Sequence, residues 1–156
     1  MPRLRVISEA RDQSPPLIDT VDGADPLVFV RRGQGLVGLG IALRADFSGP
    51  TRFTDAASWW SSLCEEAEMG DVVQRPGSGL VAFVTFSFDQ DSAETSTLIV
   101  PQRILGRDDQ GAFQTTVTLA DSDQVSPATP VNSADDNQGS SAVSWSDGQM
   151  SRERFI

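Results

Sequence analysis

The chain contains no lysine and no histidine, and it has a single cysteine. Each absence removes a class of chemistry. Without lysine there is no Schiff-base amine, and without histidine there is neither an imidazole general base nor the commonest metal ligand. Cys64 alone can form no internal disulfide and no cysteine-based metal site, and no imidazole is present to activate it as a nucleophile. Long apolar runs are also missing. The opening MPRLRVISEARDQ leads into no signal-peptide core, and no stretch approaches a membrane span, so a cytoplasmic protein is expected.

What is present is acid. Twenty-two acidic residues face 12 basic ones, all arginine, for a net charge of −10. Such a surface repels phosphate backbones and anionic membranes, which argues against nucleic-acid or membrane partners. The hydrophobic fraction of 38% with 13 glycines is ordinary for a globular domain. A length of 156 residues suits one domain that buries about two-thirds of its unfolded surface.

Pattern along the chain divides it in three. Residues 1–120 read as β-rich. Leu4 to Ile7 is a short strand, followed by an extended connector through Pro15-Pro16. Leu27 to Arg31 is a buried strand. Leu36 to Phe47 is its antiparallel partner after a turn at Gly33-Gln34-Gly35, with Gly38 and Gly40 marking a bulge or close backbone approach. Phe53 to Ala67 is the one amphipathic helix. Phe53, Ala56/Ala57, Trp60, Leu63/Cys64 and Ala67 form its apolar stripe, Thr54 caps it and Met69-Gly70 ends it. Leu80 to Phe88 is a long strand. Thr97 to Leu105 and Ala112 to Leu119 make a hairpin around Gly106–Gly111, with Pro101 at an edge or bulge. Residues 121–142 are an acidic, polar linker or disordered loop, too poor in apolar area to offset ordering entropy. Residues 143–156 resume ordered character. Trp145 is a strand anchor, Asp147-Gly148 a turn, and Ser151 the cap of a helix only begun at Arg152, so the chain is expected to be truncated there.

Several groups invite a chemical reading. Gly33-Gln34-Gly35-Leu36-Val37-Gly38 spells GxGxxG after a strand. A dinucleotide site needs a helix to open at the third glycine, whereas Leu39 to Phe47 is extended, so the string is read as a hairpin. Trp59 and Trp60 are read as core or as contacts with another layer. The carboxylates Glu65, Glu66 and Glu68, Asp89 and Asp91, and Asp108 and Asp109 fall on an exposed helix end and in turns, where solvated surface is the expectation. Cys64 is expected to be a buried small hydrophobe.

Four strings, DPLVFVRRGQGLVGLGIALR, RFTDAASWW, PGSGLVAFVTFSFD and SDGQMSRERF, give the chain a family likeness. In order and spacing they resemble the amino-terminal region of isochorismate synthases of the menaquinone type, in the chorismate-utilising enzyme family. The resemblance covers roughly Pro26 to Ile156. It implies an α+β fold: an antiparallel sheet with one main amphipathic helix, forming the amino-terminal half of that family's α/β/β/α sandwich. It also implies a reaction, the addition of water at C2 of chorismate with loss of the C4 hydroxyl, serving menaquinone or siderophore synthesis. The family's Lys base, Glu acid and Mg2+-binding carboxylates belong to its carboxy-terminal region. No catalytic, cofactor-binding or metal residue is therefore assigned here, and no cofactor is expected on this chain.

The resemblance further implies that the carboxy-terminal half is the structural partner, that chorismate is bound only by the full-length enzyme, and that an uncovered sheet face self-associates. The Leu-Leu-Glu-Ser motif with which related anthranilate synthases bind a feedback amino acid is absent. Two alternatives stand beside this reading: a self-sufficient binding or regulatory module, and the same part of a salicylate or aminodeoxychorismate synthase.

Overall fold

The computed structural model describes residues 2–21, 26–89 and 94–120. The expected linker 121–142 and the segment 143–156 lie outside the described residues. Nine strands and one α-helix follow in the order β1 (Leu4–Arg11), β2 (Leu27–Arg31), β3 (Gln34–Leu39), β4 (Leu43–Phe47), α1 (Arg52–Glu66), β5 (Glu68–Asp71), β6 (Phe83–Thr85), β7 (Ser96–Val100), β8 (Arg103–Asp108) and β9 (Gly111–Leu119). A six-stranded sheet runs β2-β3-β8-β9-β1-β5 and a three-stranded sheet runs β4-β7-β6. All pairings are antiparallel except β1 with β5. The class is α+β, as the pattern implied.

Two runs that read as single strands are each divided between the sheets. Leu36 to Phe47 passes from β3 into β4, and Thr97 to Leu105 passes from β7 into β8. The ladder pairs Leu39 with Arg103 on one side of the corner and Leu43 with Val100 on the other. Three residues, Gly40 to Ala42, thus oppose two, Pro101 and Gln102. One extra residue is a β-bulge, and a bulge bends and twists its strand. Pro101 supplies no ladder donor, while the Ala42 amide donates to the Val100 carbonyl at 2.8 Å to resume pairing. Gly38 packs hard against this corner, for a Cβ there would lie 2.7 Å from Pro101 Cγ.

The turns also shift from their expected places. Arg31 pairs with Gln34, so the first hairpin turns on Arg32 and Gly33, at φ of 55° and 79°. Two positive φ values in a two-residue loop are what a type I′ turn requires. The second hairpin turns on Asp109-Gln110 alone, since Asp108 pairs with Gly111. Gly106 is not in that turn but inside β8, opposite Phe113, whose ring lies across its α-carbon.

The core forms where the sheets face each other. Leu4, Val6 and Val117 from the large sheet, Leu98 and Val100 from the small one, and Leu63 from the helix make one buried cluster, with Trp59 and Trp60 packed against it. Burying each aliphatic side chain contributes about 1.5–3 kcal/mol. The helix stripe is rotated from the expected one: Arg52, Ala56 and Leu63 are buried, whereas Phe53 and Cys64 are exposed. Its N-cap is Thr51, not Thr54, and Thr51 Oγ1 donates to the Asp55 carboxylate at 2.8 Å. No glycine ends it. Ala67 turns extended and Glu68–Asp71 find ladder partners on β1, which satisfy the backbone without a glycine cap. Outside the large sheet, a 3-10 turn at Leu17–Thr20 sets buried Leu17 over β3.

Gly106→Ala should lower stability by about 1–3 kcal/mol, because a Cβ would stand 2.1 Å from Phe113 Cζ. Urea unfolding measures this. An unchanged midpoint would remove the ring from its assigned place.

Candidate functional site

The long strand expected over Leu80 to Phe88 is the largest departure from the sequence reading, and it exposes the most distinctive surface. Only Phe83–Thr85 pair with β7. Beyond Thr85 the backbone is claimed by side chains: the Ser87 amide donates to Ser96 Oγ at 3.0 Å, and Arg52 takes the Ser87 and Phe88 carbonyls at 3.1 and 3.0 Å. Arg52 also donates to the Gly49 carbonyl at 3.0 Å and is only 4% exposed. A planar fork with five donors can satisfy three diverging carbonyls at once. The arginine stands one helical turn before Ala56, on the buried stripe, which is the signal that could have found it.

This clamp holds β6 as the free edge of the small sheet, with an apolar groove on each side. One groove, about 510 Å3, lies between β6 and β2 and is lined by Leu27, Phe29, Leu36, Phe83 and Ile99. The other, about 530 Å3, lies between β6 and α1 and is lined by Phe53, Trp60, Leu80, Val84, Phe86 and Leu98. Phe53 and Phe86 stack with ring centroids 4.6 Å apart, yet stay 51% and 41% exposed. Phe29 is 74% exposed. Single apolar residues on a surface are commonplace; grooves flanking an unpaired strand edge mark a contact surface.

The loop from β5 to β6 is tied down by buried hydroxyls. Ser8 and Thr115, both fully buried, bond at 2.7 Å, and the Gly79 amide donates to Ser8 Oγ at 2.9 Å. Ser78 Oγ donates to Asp71 at 2.6 Å, and the Val73 and Gln74 amides donate to the other Asp71 oxygen. Partial burial pushes the Asp71 carboxyl up, but these donors outweigh it and hold its pKa below the ordinary 3.8. Arg75, in the same loop, pairs with Asp108 at 2.6 Å and lies over the Phe113 ring.

The residues singled out by sequence do not converge. Gly33 sits in a hairpin turn with no helix after the glycine string, so no dinucleotide site exists there. Trp59 meets Phe47 edge-on at 6.3 Å, and both tryptophans serve the core. Glu65 and Glu66 end the helix, Glu68 pairs with Arg3 and Arg5, Asp108 ends β8 and Asp109 stands in the turn to β9. Asp91 lies outside the described residues. Cys64, read as buried, is exposed; partial burial and the neighbouring Glu65 raise its pKa, which keeps it a thiol. Among the described residues no three His, Cys, Asp or Glu side chains come together. They do not fit a Mg2+ site, and no metal-dependent step is built on them. Among them, too, no helix is long and apolar enough to cross a membrane.

The described residues thus form an α+β unit with open apolar grooves beside a free strand edge. Its family is that of the chorismate binding enzymes: the family model with that description matches residues 26–147, well over half the chain, and the chain belongs to it. No curated protein and no solved structure matches the chain.

Two outcomes follow. Arg52→Ala should cost about 3 kcal/mol or more in urea unfolding, because three carbonyls lose their donor at once; an unchanged midpoint would show that water replaces it freely. Asp71→Asn tests the loop. A carboxyl with a lowered folded pKa adds stability that is present above the ordinary value of 3.8 and lost as pH falls through the lower folded value. The stability gap between wild type and Asp71→Asn should therefore be constant near neutrality and close in acid.

Proposed function

We propose that this chain is the amino-terminal, non-catalytic layer of a cytoplasmic isochorismate synthase, and that it does not turn over chorismate by itself. The reading is carried by one observation: the family match begins at Pro26, one residue into the first of the four isochorismate-synthase-like strings, and extends through the third. The grooves beside β6 support the same reading, since they offer the family's carboxy-terminal region an apolar seat. Composition supports the absence of turnover. The reaction's base in this family is a lysine, and the chain has none. In the whole enzyme, Mg2+ and the acid and base would act in the carboxy-terminal region on chorismate, and the isochorismate formed would feed menaquinone or siderophore synthesis. A salicylate or aminodeoxychorismate synthase would share the family match; the four strings favour isochorismate synthase over both.

The test incubates the purified chain with chorismate and Mg2+ and follows isochorismate by chromatography. No product is expected, and a measurable rate would overturn the placement of the chemistry. The contact surface has its own readout. The chain should bind an apolar fluorescent dye, and Val84→Asp or Phe86→Asp should reduce that signal without changing the circular dichroism spectrum. A dye-silent, monomeric and cooperatively unfolding chain would point instead to a self-sufficient module.

A further inference from the structure

One end of the six-stranded sheet gathers arginines in an otherwise acidic chain. Arg11 ends β1, Arg31 ends β2, Arg32 is in the next turn, Arg107 stands near the end of β8, and Arg75 reaches in from the β5–β6 loop. These five arginines share that end with three aspartates, Asp12, Asp108 and Asp109. The cleft at this end is itself lined by three of the arginines, Arg11, Arg75 and Arg107, and by those three aspartates, a balance that stands out in a chain of net charge −10. Among the described residues at this end, Arg75 pairs with Asp108.

The ladder arranges two of these arginines as a cradle. Arg107 pairs with Ala112, and Ala112 pairs with Arg11, so the three form one row across β8, β9 and β1. Side chains in one row share a face, and strands stand about 4.8 Å apart, so the two arginines flank the alanine with Cα atoms about 10 Å apart. The small Ala112 leaves the floor between them low. The row opens into a cleft of about 520 Å3.

Hydrogen bonding holds the two guanidiniums but does not neutralise them. Arg11 Nη1 donates to Gln114 Oε1 at 3.3 Å, and Arg107 Nη2 donates to the Ser14 and Pro15 carbonyls. Arg107 Nε is buried and has no acceptor. Each guanidinium keeps further donors for an anion seated between the two.

We propose that the row Arg11–Ala112–Arg107 is the floor of a binding site for a small oxyanion, a carboxylate or a phosphate. The Arg107 guanidinium donates to it from one side and the Arg11 guanidinium from the other. The site lies on the large sheet, away from the β6 grooves, and it stands whether or not the chain belongs to an isochorismate synthase.

The probes are sodium succinate and inorganic phosphate, each titrated against chloride at matched ionic strength. Heteronuclear NMR follows the Arg Nε–H resonances of the whole chain. Saturable movement of the Arg107 Nε–H signal is expected with at least one probe, and which probe moves it distinguishes a carboxylate ligand from a phosphate one. Arg107→Gln and Arg11→Gln should each weaken binding by about tenfold, and Arg44→Gln, on the small sheet, should leave it unchanged. Arg11 makes only a surface bond, so its variant carries the test if Arg107→Gln unfolds. No saturable shift with either probe, or equal binding by wild type and Arg11→Gln, would overturn the proposal.

Discussion

The bulge that sets Gly40, Ile41 and Ala42 against Pro101 and Gln102 is the constraint on which the rest of the structure depends. Without the extra residue, β3–β4 and β7–β8 would be one continuous two-stranded ribbon in a single sheet. With it the ribbon bends, and its two ends belong to different sheets. Leu98 and Val100 are thereby brought over Leu4, Val6 and Val117, and Leu63 of the helix closes the cluster. The corner also decides what stays open. The small sheet has three strands, so β6 is left as an edge, and the apolar grooves on its two sides follow from that placement.

The absence of lysine shows in how cations are used inside the structure. Arg52 serves three carbonyls from a nearly buried position, Arg107 holds two more, and Arg75 pairs with Asp108 while lying over Phe113. An ammonium is a compact, strongly hydrated charge and would be costlier to seat in such places than a flat guanidinium. Exposed pairs such as Arg44 with Asp46 add little to stability. Arg52 and Arg107 brace loop backbone where regular pairing has failed, beyond Thr85 and around Ser14, and Arg75 ties the 71–80 loop to Asp108.

The elements legible in the sequence were those with local causes. The helix announced itself by period, β1 and β9 by their β-branched runs, and the close approach at Gly38 by its lack of a side chain. β2 is the expected strand but an exposed sheet edge and not the buried one its composition suggested, because only β3 pairs with it. What sequence missed was set by partners far along the chain. Leu80 to Phe88 has the composition of a nine-residue strand, yet only three residues pair, because Ser96 and Arg52 take the backbone groups beyond Thr85. Cys64 and Phe53 fit an apolar stripe equally well on either side of Leu63. The sheets chose the side, turning Arg52 inward and both others outward. Pro101 was read as an edge or a bulge, and the bulge is there. That two runs of strand residues belong to two sheets each is not a local property, because nothing in LIVPQRIL states which partner each half meets.

The same division bears on what the family match rests on. Membership rests on residues 26–147, a span that includes the corner, the helix and both hairpins. Those features specify a scaffold: glycines where backbones touch, a proline at the bend, arginines bracing loops. None of them needs to be near a reacting atom to be required. The acids, meanwhile, are dispersed by the topology. Glu65 and Glu66 are carried to one helix end, Glu68 to a sheet edge opposite Arg5, and Asp108 and Asp109 to a turn at the far end of β8. A carboxylate pair can do acid–base work only when two environments are held a few ångströms apart and tuned differently. Among the described residues the strand order itself keeps these carboxylates apart.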